Sequence, residues 1–178
     1  HLALQLNQAA PLDLRVNPLK AERDALLARL RADGIHAVPG DYSPLAMRLA
    51  DKPALARHPA FLDGSFEVQD EGSQLLGYLV QPRRGEMVAD FCAGAGGKTL
   101  LLGALMRSQG RLYAFDIAEK RLAKLKPRLA RSGLSNVHPV RIESEHDARL
   151  KRLAGKFDRV LVDAPCSGLG TLRRNPDL

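Results

Sequence analysis

Apolar and polar residues alternate over residues 12–16, LDLRV, and a period of two predicts a short strand. The period then lengthens. Between Pro18 and Arg31, Leu19, Leu26, Leu27 and Leu30 recur at helical spacing, and Asp33-Gly34 supplies the stop. Ile35–Val38 and Leu45–Leu49 are brief apolar runs between Pro- and Gly-containing turns, which suits two short strands. Residues 51–65 hold Pro53, Pro59 and Gly64 and read as a connecting segment with short helices at most. The change of texture near Gly64 divides the chain into a small N-terminal α/β unit with its linker, residues 1–64, and a second unit, residues 65–178.

The second unit alternates strand and helix. Residues 70–80 suit a helix with Leu75, Leu76 and Leu79 on one side, and Met87–Phe91 is a buried strand running into a glycine-rich turn. Thr99–Arg107 reads as an apolar helix, followed by a strand from Leu112 to Phe115 that ends at Asp116. Over residues 118–132, Ala118, Leu122, Leu125 and Leu129 form an apolar stripe. The opposite face carries Lys120, Arg121, Lys124, Arg128 and Arg131, and Pro127 is expected to kink or weaken the helix. A strand at Val137–Ile142, a helix near 147–154 and a strand at Arg159–Asp163 complete the series. Regular β–α alternation implies an α/β fold with a parallel, doubly wound sheet.

Composition narrows the function more than the fold. The formal net charge of +7, from 27 Lys+Arg against 20 Asp+Glu, favours a polyanionic partner, although a basic solvated surface accounts for it equally well. Aromatics at 4% argue against a single-strand stacking platform. No apolar run approaches the length of a membrane span. His1 opens the chain and no signal-like segment follows, as expected of an internal fragment without targeting information. The two cysteines, Cys92 and Cys166, each lie in a turn and suggest a reducing, cytoplasmic setting, and no Cys/His spacing resembles a metal site.

Residues 90–100, DFCAGAGGKTL, carry the first chemical signal. A P-loop requires glycine at residue 92, which is Cys92, and the dinucleotide pattern requires glycine at residue 99, which is Thr99. What remains is an acid at a strand end, then Gly94, Gly96 and Gly97 in a turn that opens a helix. There the backbone can approach a ligand closely and helix N–H groups meet its polar atoms. Asp116 ends the next strand, 26 residues after Asp90. Such an acid serves either as a helix N-cap or as acceptor for both ribose hydroxyls of an adenosine. Together with the glycine turn it favours the ribose role, and so an adenosine-containing cofactor.

Residues 157–177, FDRVLVDAPCSGLGTLRRNPD, bring Asp163, Pro165 and Cys166 to the end of the fourth parallel strand. In this stretch and in DFCAGAGGKT, VQDEGSQL (68–75) and LRVNPLK (14–20), the chain resembles the RNA cytosine-5 methyltransferase family of the 16S ribosomal RNA methyltransferase B and Sun type. The likeness runs from about Leu14 to the end. It departs at Gly94-Ala95, where the family has Ala-Pro, and at the segment around Asp147.

The resemblance implies a partial class I, Rossmann-like methyltransferase sheet behind a small RNA-recognition-like domain. It implies S-adenosyl-L-methionine as cofactor, held by Cys92, Ala93, Gly94, Ala95, Gly96, Gly97 and Lys98, with Asp116 on the ribose and Asp147 on the adenine side. Asp163 would lie between the methyl donor and the target cytosine. With RNA as the substrate, ribosomal RNA by analogy, Arg173 and Arg174 are expected to contact it because they directly follow the turn that holds Cys166. In the family a cysteine of a later motif attacks the base, and the cysteine matching Cys166 assists release; residues 1–178 hold no counterpart of the attacking one. An amino-methyltransferase is a rival reading, but such enzymes usually carry Asn/Asp-Pro-Pro-aromatic where this chain has Asp163-Ala164-Pro165-Cys166. A non-catalytic RNA- or cofactor-binding module is the other.

Overall fold

The alternation at Leu12–Val16 (β1) does form a strand, but both of its faces are covered. Leu14 and Val16 enter an apolar core with Leu26, Leu30, Met47 and Phe66. Asp13 and Arg15, on the other face, are only 3% and 2% exposed. The computed structural model describes residues 10–166. Helix α1 spans Arg23–Ala32 and starts later than its leucines suggest, because Asn17 folds residues 17–21 into a turn. The backbone N–H groups of Lys20 and Ala21 donate to the Asn17 carbonyl, and that of Leu19 donates to its Oδ1.

Strands β2 (Ala37–Pro39) and β3 (Ala46–Leu49) follow, then a 3₁₀ turn (Leu55–Arg57), a short helix α2 (Pro59–Leu62) and β4 (Phe66–Val68). The sheet order is β2-β3-β1-β4, antiparallel throughout. β4 pairs with β1 over Leu14–Val68 to Val16–Phe66, so the first sheet continues past Gly64.

Helix α3 (Glu71–Val80) is capped by Asp70, whose side chain accepts from the Ser73 N–H. Its leucines are not its buried face: Glu71, Gln74 and Gly77 are buried, while Leu79 is 77% exposed and Leu76 is also exposed. The reason is the polar second face of β1, against which the helix lies. Glu71 accepts from the Tyr42 and Ser43 N–H groups and from Arg48, and its own N–H donates to Asp13. Gln74 donates to the Leu14 and Gln69 carbonyls. Gly77 has no room for a side chain, since a Cβ there would stand 2.5 Å from Leu101 Cδ2.

The second sheet comprises β5 (Met87–Asp90), β6 (Arg111–Asp116), β7 (Val137–Arg141) and β8 (Arg159–Leu161), all parallel, in the order β7-β6-β5-β8. Helices α4 (Gly97–Leu105), α5 (Glu119–Ser132) and α6 (Ala148–Leu153) connect them. Pro139 is tolerated because β7 is an edge strand. Helix α5 runs through Pro127 without interruption. It buries Leu122 and Leu125 beside Leu100 and Ala114.

The two sheets meet along the C-terminal part of α5. Asn17 Nδ2 donates to the carbonyls of Gly64 and Ser132, and Arg131 stacks over the Phe61 ring at 4.3 Å. Among the described residues no helix is long and apolar enough to cross a membrane.

Candidate functional site

The carboxyl ends of β5, β6 and β8 lie side by side, and each delivers an acid or leads directly to one. Asp90, at the end of β5, is 1% exposed. Its Oδ2 accepts from Thr99 Oγ at 2.7 Å, whereas its Oδ1 is buried without a hydrogen-bond partner among the described residues. Burial pushes the Asp90 carboxyl up to about 6; Asp163 and Asp116 push the same way, against Thr99 and Lys98. Residues up to 73 positions apart thus act on one buried carboxyl. Asp90 was legible only as the acid before the turn, and its burial comes from the helix that the turn opens.

The turn itself is pinned to the sheet. The N–H of Phe91 donates to the Leu161 carbonyl of β8, and that of Ala93 to Phe115 of β6. Gly94 has φ +56°, and nothing lies within 4 Å of where its Cβ would stand. Gly96, at φ +82°, is needed for packing, because a Cβ there would meet Leu125 Cδ1 at 2.2 Å. Gly97 and Lys98 open helix α4, so their N–H groups have no intrahelical acceptor. Cys92 is half-buried, and burial pushes its thiol up, reinforced by Asp116, Asp90 and Asp163. It is therefore a neutral thiol near pH 7 and a poor nucleophile.

Asp116 is buried and occupied on both oxygens by backbone: Oδ2 accepts from the Gly94 N–H at 2.8 Å and Oδ1 from Ala118 at 2.7 Å. It joins β6, the glycine turn and the start of α5. A carboxylate oxygen has two lone-pair directions, so each keeps capacity for a further donor. Beyond β8, Asp163 Oδ2 receives Lys98 Nζ at 2.7 Å, which links the fourth-strand acid to the glycine turn.

Asp147 is occupied differently. It caps α6, and its carboxylate accepts from the Glu143 N–H, the Arg149 N–H and the Arg149 guanidinium. That bidentate pair holds it well below the usual carboxylate range. Cys166 is exposed, and Arg173 and Arg174 lie outside the described residues. On the basic face of α5, Lys120, Arg121 and Lys124 are exposed as its pattern suggests. Arg128 departs from that face: its Nε donates to Glu67 of β4 at 3.0 Å and its Nη1 to the Ala95 carbonyl at 2.6 Å.

A glycine turn between β5 and α4, with strand-end acids on three adjacent parallel strands, defines a Rossmann-like domain of the methyltransferase type. In front of it, the βαββαβ order of the first sheet is ferredoxin-like. Comparison with known proteins agrees on both units. The family described as 16S rRNA methyltransferase RsmB/F matches residues 77–178, and the RsmF/B-like ferredoxin-like domain matches residues 1–56. The chain belongs to the 16S rRNA methyltransferase RsmB/F family.

A relative from Bacillus subtilis (strain 168), named probable ribosomal RNA small subunit methyltransferase B, is 36% identical over 171 residues, covering 93% of this chain and 36% of the relative. A solved structure of a methyltransferase homolog protein from Pyrococcus horikoshii is 34% identical with a TM-score of 0.83, covering 97% of this chain and 56% of that one. NSun6 from Pyrococcus horikoshii, solved with SFG, shares the fold at a TM-score of 0.83 and 19% identity, over 93% of this chain and 66% of that one. The chain thus spans little more than a third of the length of the Bacillus relative.

Proposed function

We propose that this chain is the part of an RNA cytosine-5 methyltransferase that holds S-adenosyl-L-methionine and presents its methyl group to the target base, in ribosomal RNA. The carrying observation is the convergence of Asp90, Asp116 and the Lys98–Asp163 pair on one glycine turn. The donor set fits an adenosyl amino acid. Among the described residues, open space stands over Gly94 and a buried Asp90 oxygen lacks a donor, and the first turn of α4 offers N–H groups. When bound, the cofactor supplies an electrophilic methyl group on a sulfonium.

The residues of the chain divide the remaining work. The backbone of Cys92–Lys98 lines the amino-acid end of the cofactor. Asp116 accepts from the ribose hydroxyls and Asp147 contacts the adenine side. Asp163, oriented by Lys98, hydrogen-bonds the cytosine ring. Carbon 5 of cytosine is a weak nucleophile, so a cysteine thiolate from elsewhere in the complete protein adds first to carbon 6. The new C–S bond pushes an electron pair towards carbon 5, which takes the methyl group. A base removes the carbon 5 proton, the C–S bond breaks, and the thiolate leaves with its electron pair. Cys166 assists that release.

Calorimetry with S-adenosylhomocysteine tests the cofactor site. Asp116→Asn keeps one side-chain acceptor for the turn but loses the charge, and should weaken binding by roughly 1–2 kcal/mol without abolishing the fold. An unchanged affinity, or tighter binding of ATP by the unaltered protein, would contradict the site.

RNA binding is tested separately. Reversing Arg173 and Arg174 to glutamate should weaken RNA binding and lower the magnitude of the salt slope by about two, one per lost phosphate contact. A slope equal to that of the unaltered protein would remove both residues from the footprint.

A further inference from the structure

The glycine turn is conformationally soft. Gly94 and Gly96 sit at φ of 56° and 82°, and a glycine has many alternative conformations to lose on being ordered. Two guanidinium groups oppose that freedom. Arg15 Nη1 donates to the Gly97 carbonyl at 2.7 Å, and Arg128 Nη1 donates to the Ala95 carbonyl at 2.6 Å. Both are charge-assisted bonds, stronger than the neutral ones that usually hold a turn.

Neither arginine is loosely placed. The same Nη1 of Arg15 also donates to Gln69 Oε1. Burial pulls the Arg15 guanidinium down to about 10, opposed by Glu67, so it remains charged at neutral pH. Glu67 also holds Arg128 Nε at 3.0 Å and Arg131 Nη2 at 2.8 Å. Arg15 and Glu67 are direct partners in register on β1 and β4. One cross-strand pair of the first sheet therefore reaches two carbonyls of a turn in the second sheet, 82 residues from Arg15 along the chain in the case of Gly97. A trans peptide sets its N–H antiparallel to its carbonyl, so holding the Ala95 and Gly97 carbonyls also sets the N–H groups of Gly96 and Lys98.

We infer that Arg15 and the Glu67–Arg128 pair are positioning residues for the cofactor turn, so that the ferredoxin-like sheet is the back wall of the cofactor site. They act through the carbonyls of Ala95 and Gly97 and not on the cofactor itself. An arginine serving only to join the two units would be satisfied by carboxylates. Here two arginines on different elements converge on alternate carbonyls of one turn. The consequence for binding rests on the cofactor reading above; the clamp itself does not.

Two measurements on the complete protein decide between these. In hydrogen exchange of the free protein, amides of residues 94–98 should exchange about tenfold faster in Arg128→Gln and in Glu67→Gln, with β6 amides unchanged. In calorimetry, affinity for S-adenosylhomocysteine should fall about tenfold in each, equivalent to one charge-assisted hydrogen bond. The double variant should be no weaker than Arg128→Gln, since both changes release the same carbonyl. Arg15 is too deeply buried to be the only test; Arg15→Lys, which keeps a donor and the charge, should recover most of the affinity lost in Arg15→Met. Unchanged exchange at 94–98 overturns the clamp. Unchanged affinity in variants of a binding-competent protein overturns the positioning role. If the unaltered protein does not bind S-adenosylhomocysteine at all, the cofactor reading fails, and the exchange data still decide the clamp.

Discussion

A denaturing gel of the complete protein carrying Cys166→Ala, run with labelled RNA, is expected to show a slow-migrating covalent protein–RNA complex that accumulates with time. Turnover should fall by about a hundredfold or more, the usual effect of removing a group that moves a proton. The reasoning begins with the thiols of the chain. Cys92 is half-buried among Asp90, Asp116 and Asp163, which together with burial hold it as a neutral thiol. Cys166 is exposed beyond β8, in the stretch that follows Asp163. The proposal gives it the release step, while the resemblance places the attacking thiolate in a different motif. Without Cys166, addition at carbon 6 and methyl transfer proceed but elimination slows, and the adduct persists. Loss of every adduct on Cys166→Ala, with an adduct formed by residues 1–178 alone, would make Cys166 the nucleophile and reverse the assignment.

The second large effect concerns Asp90 and appears first in stability. Its carboxyl titrates at about 6 in the folded chain, against 3.8 as the ordinary value. Between those two pH values the folded state holds a proton that the unfolded state has released, so this group's contribution to stability falls as pH rises through the window. Above about pH 6 the buried carboxylate is ionised, with one oxygen unpaired among the described residues. Asp90→Asn removes that charge and keeps an acceptor for Thr99. The variant should be as stable as the unaltered protein near pH 4 and more stable by up to about 3 kcal/mol at pH 7. The gain should come with weaker binding of S-adenosylhomocysteine, by about tenfold, because the lost carboxylate no longer meets the positive amino-acid end of the ligand. Denaturant melts across pH 4–7 check the first part. A variant less stable than the unaltered protein at pH 7 would show that the ionised carboxylate is already well solvated.

How far the site was legible depends on the range of the interactions involved. The glycine turn, the strand-end Asp116 and the fourth-strand Asp163 stood out because strand–turn–helix punctuation is local, and β–α alternation alone places successive strand ends on one edge. That Asp116 would also bond Gly94 was not legible, since it depends on β5 and β6 lying adjacent in register. Asp147 reads as a ligand-contacting acid in the resemblance, and locally it is an N-cap filled by Arg149. The basic stripe of α5 was right for Lys120, Arg121 and Lys124, which are exposed. It was incomplete for Arg128, whose direction is set by Glu67, 61 residues earlier.

By itself the sequence determined an α/β fold, the order of elements in its second half, the parallel second sheet and the turn on which its chemistry rests; the strand at Phe66–Val68, which joins the first sheet, it left out. Those follow from periodicities and turn residues that act within a few positions of one another. Only the tertiary structure decided which polar residues are interior. Alternation in LDLRV marks Asp13 and Arg15 as the polar face of β1, and amphipathicity marks Leu75, Leu76 and Leu79 as the apolar side of α3. Both patterns presume water on the polar face. Here α3 and the glycine turn cover the polar face of β1, so Asp13, Arg15, Glu71 and Gln74 are buried while Leu79 faces solvent. A polar side chain is stable inside only when partners meet it there, and the partners of these four come from segments as far away as Gly97. Separation along the chain hides such partners, and folding supplies them.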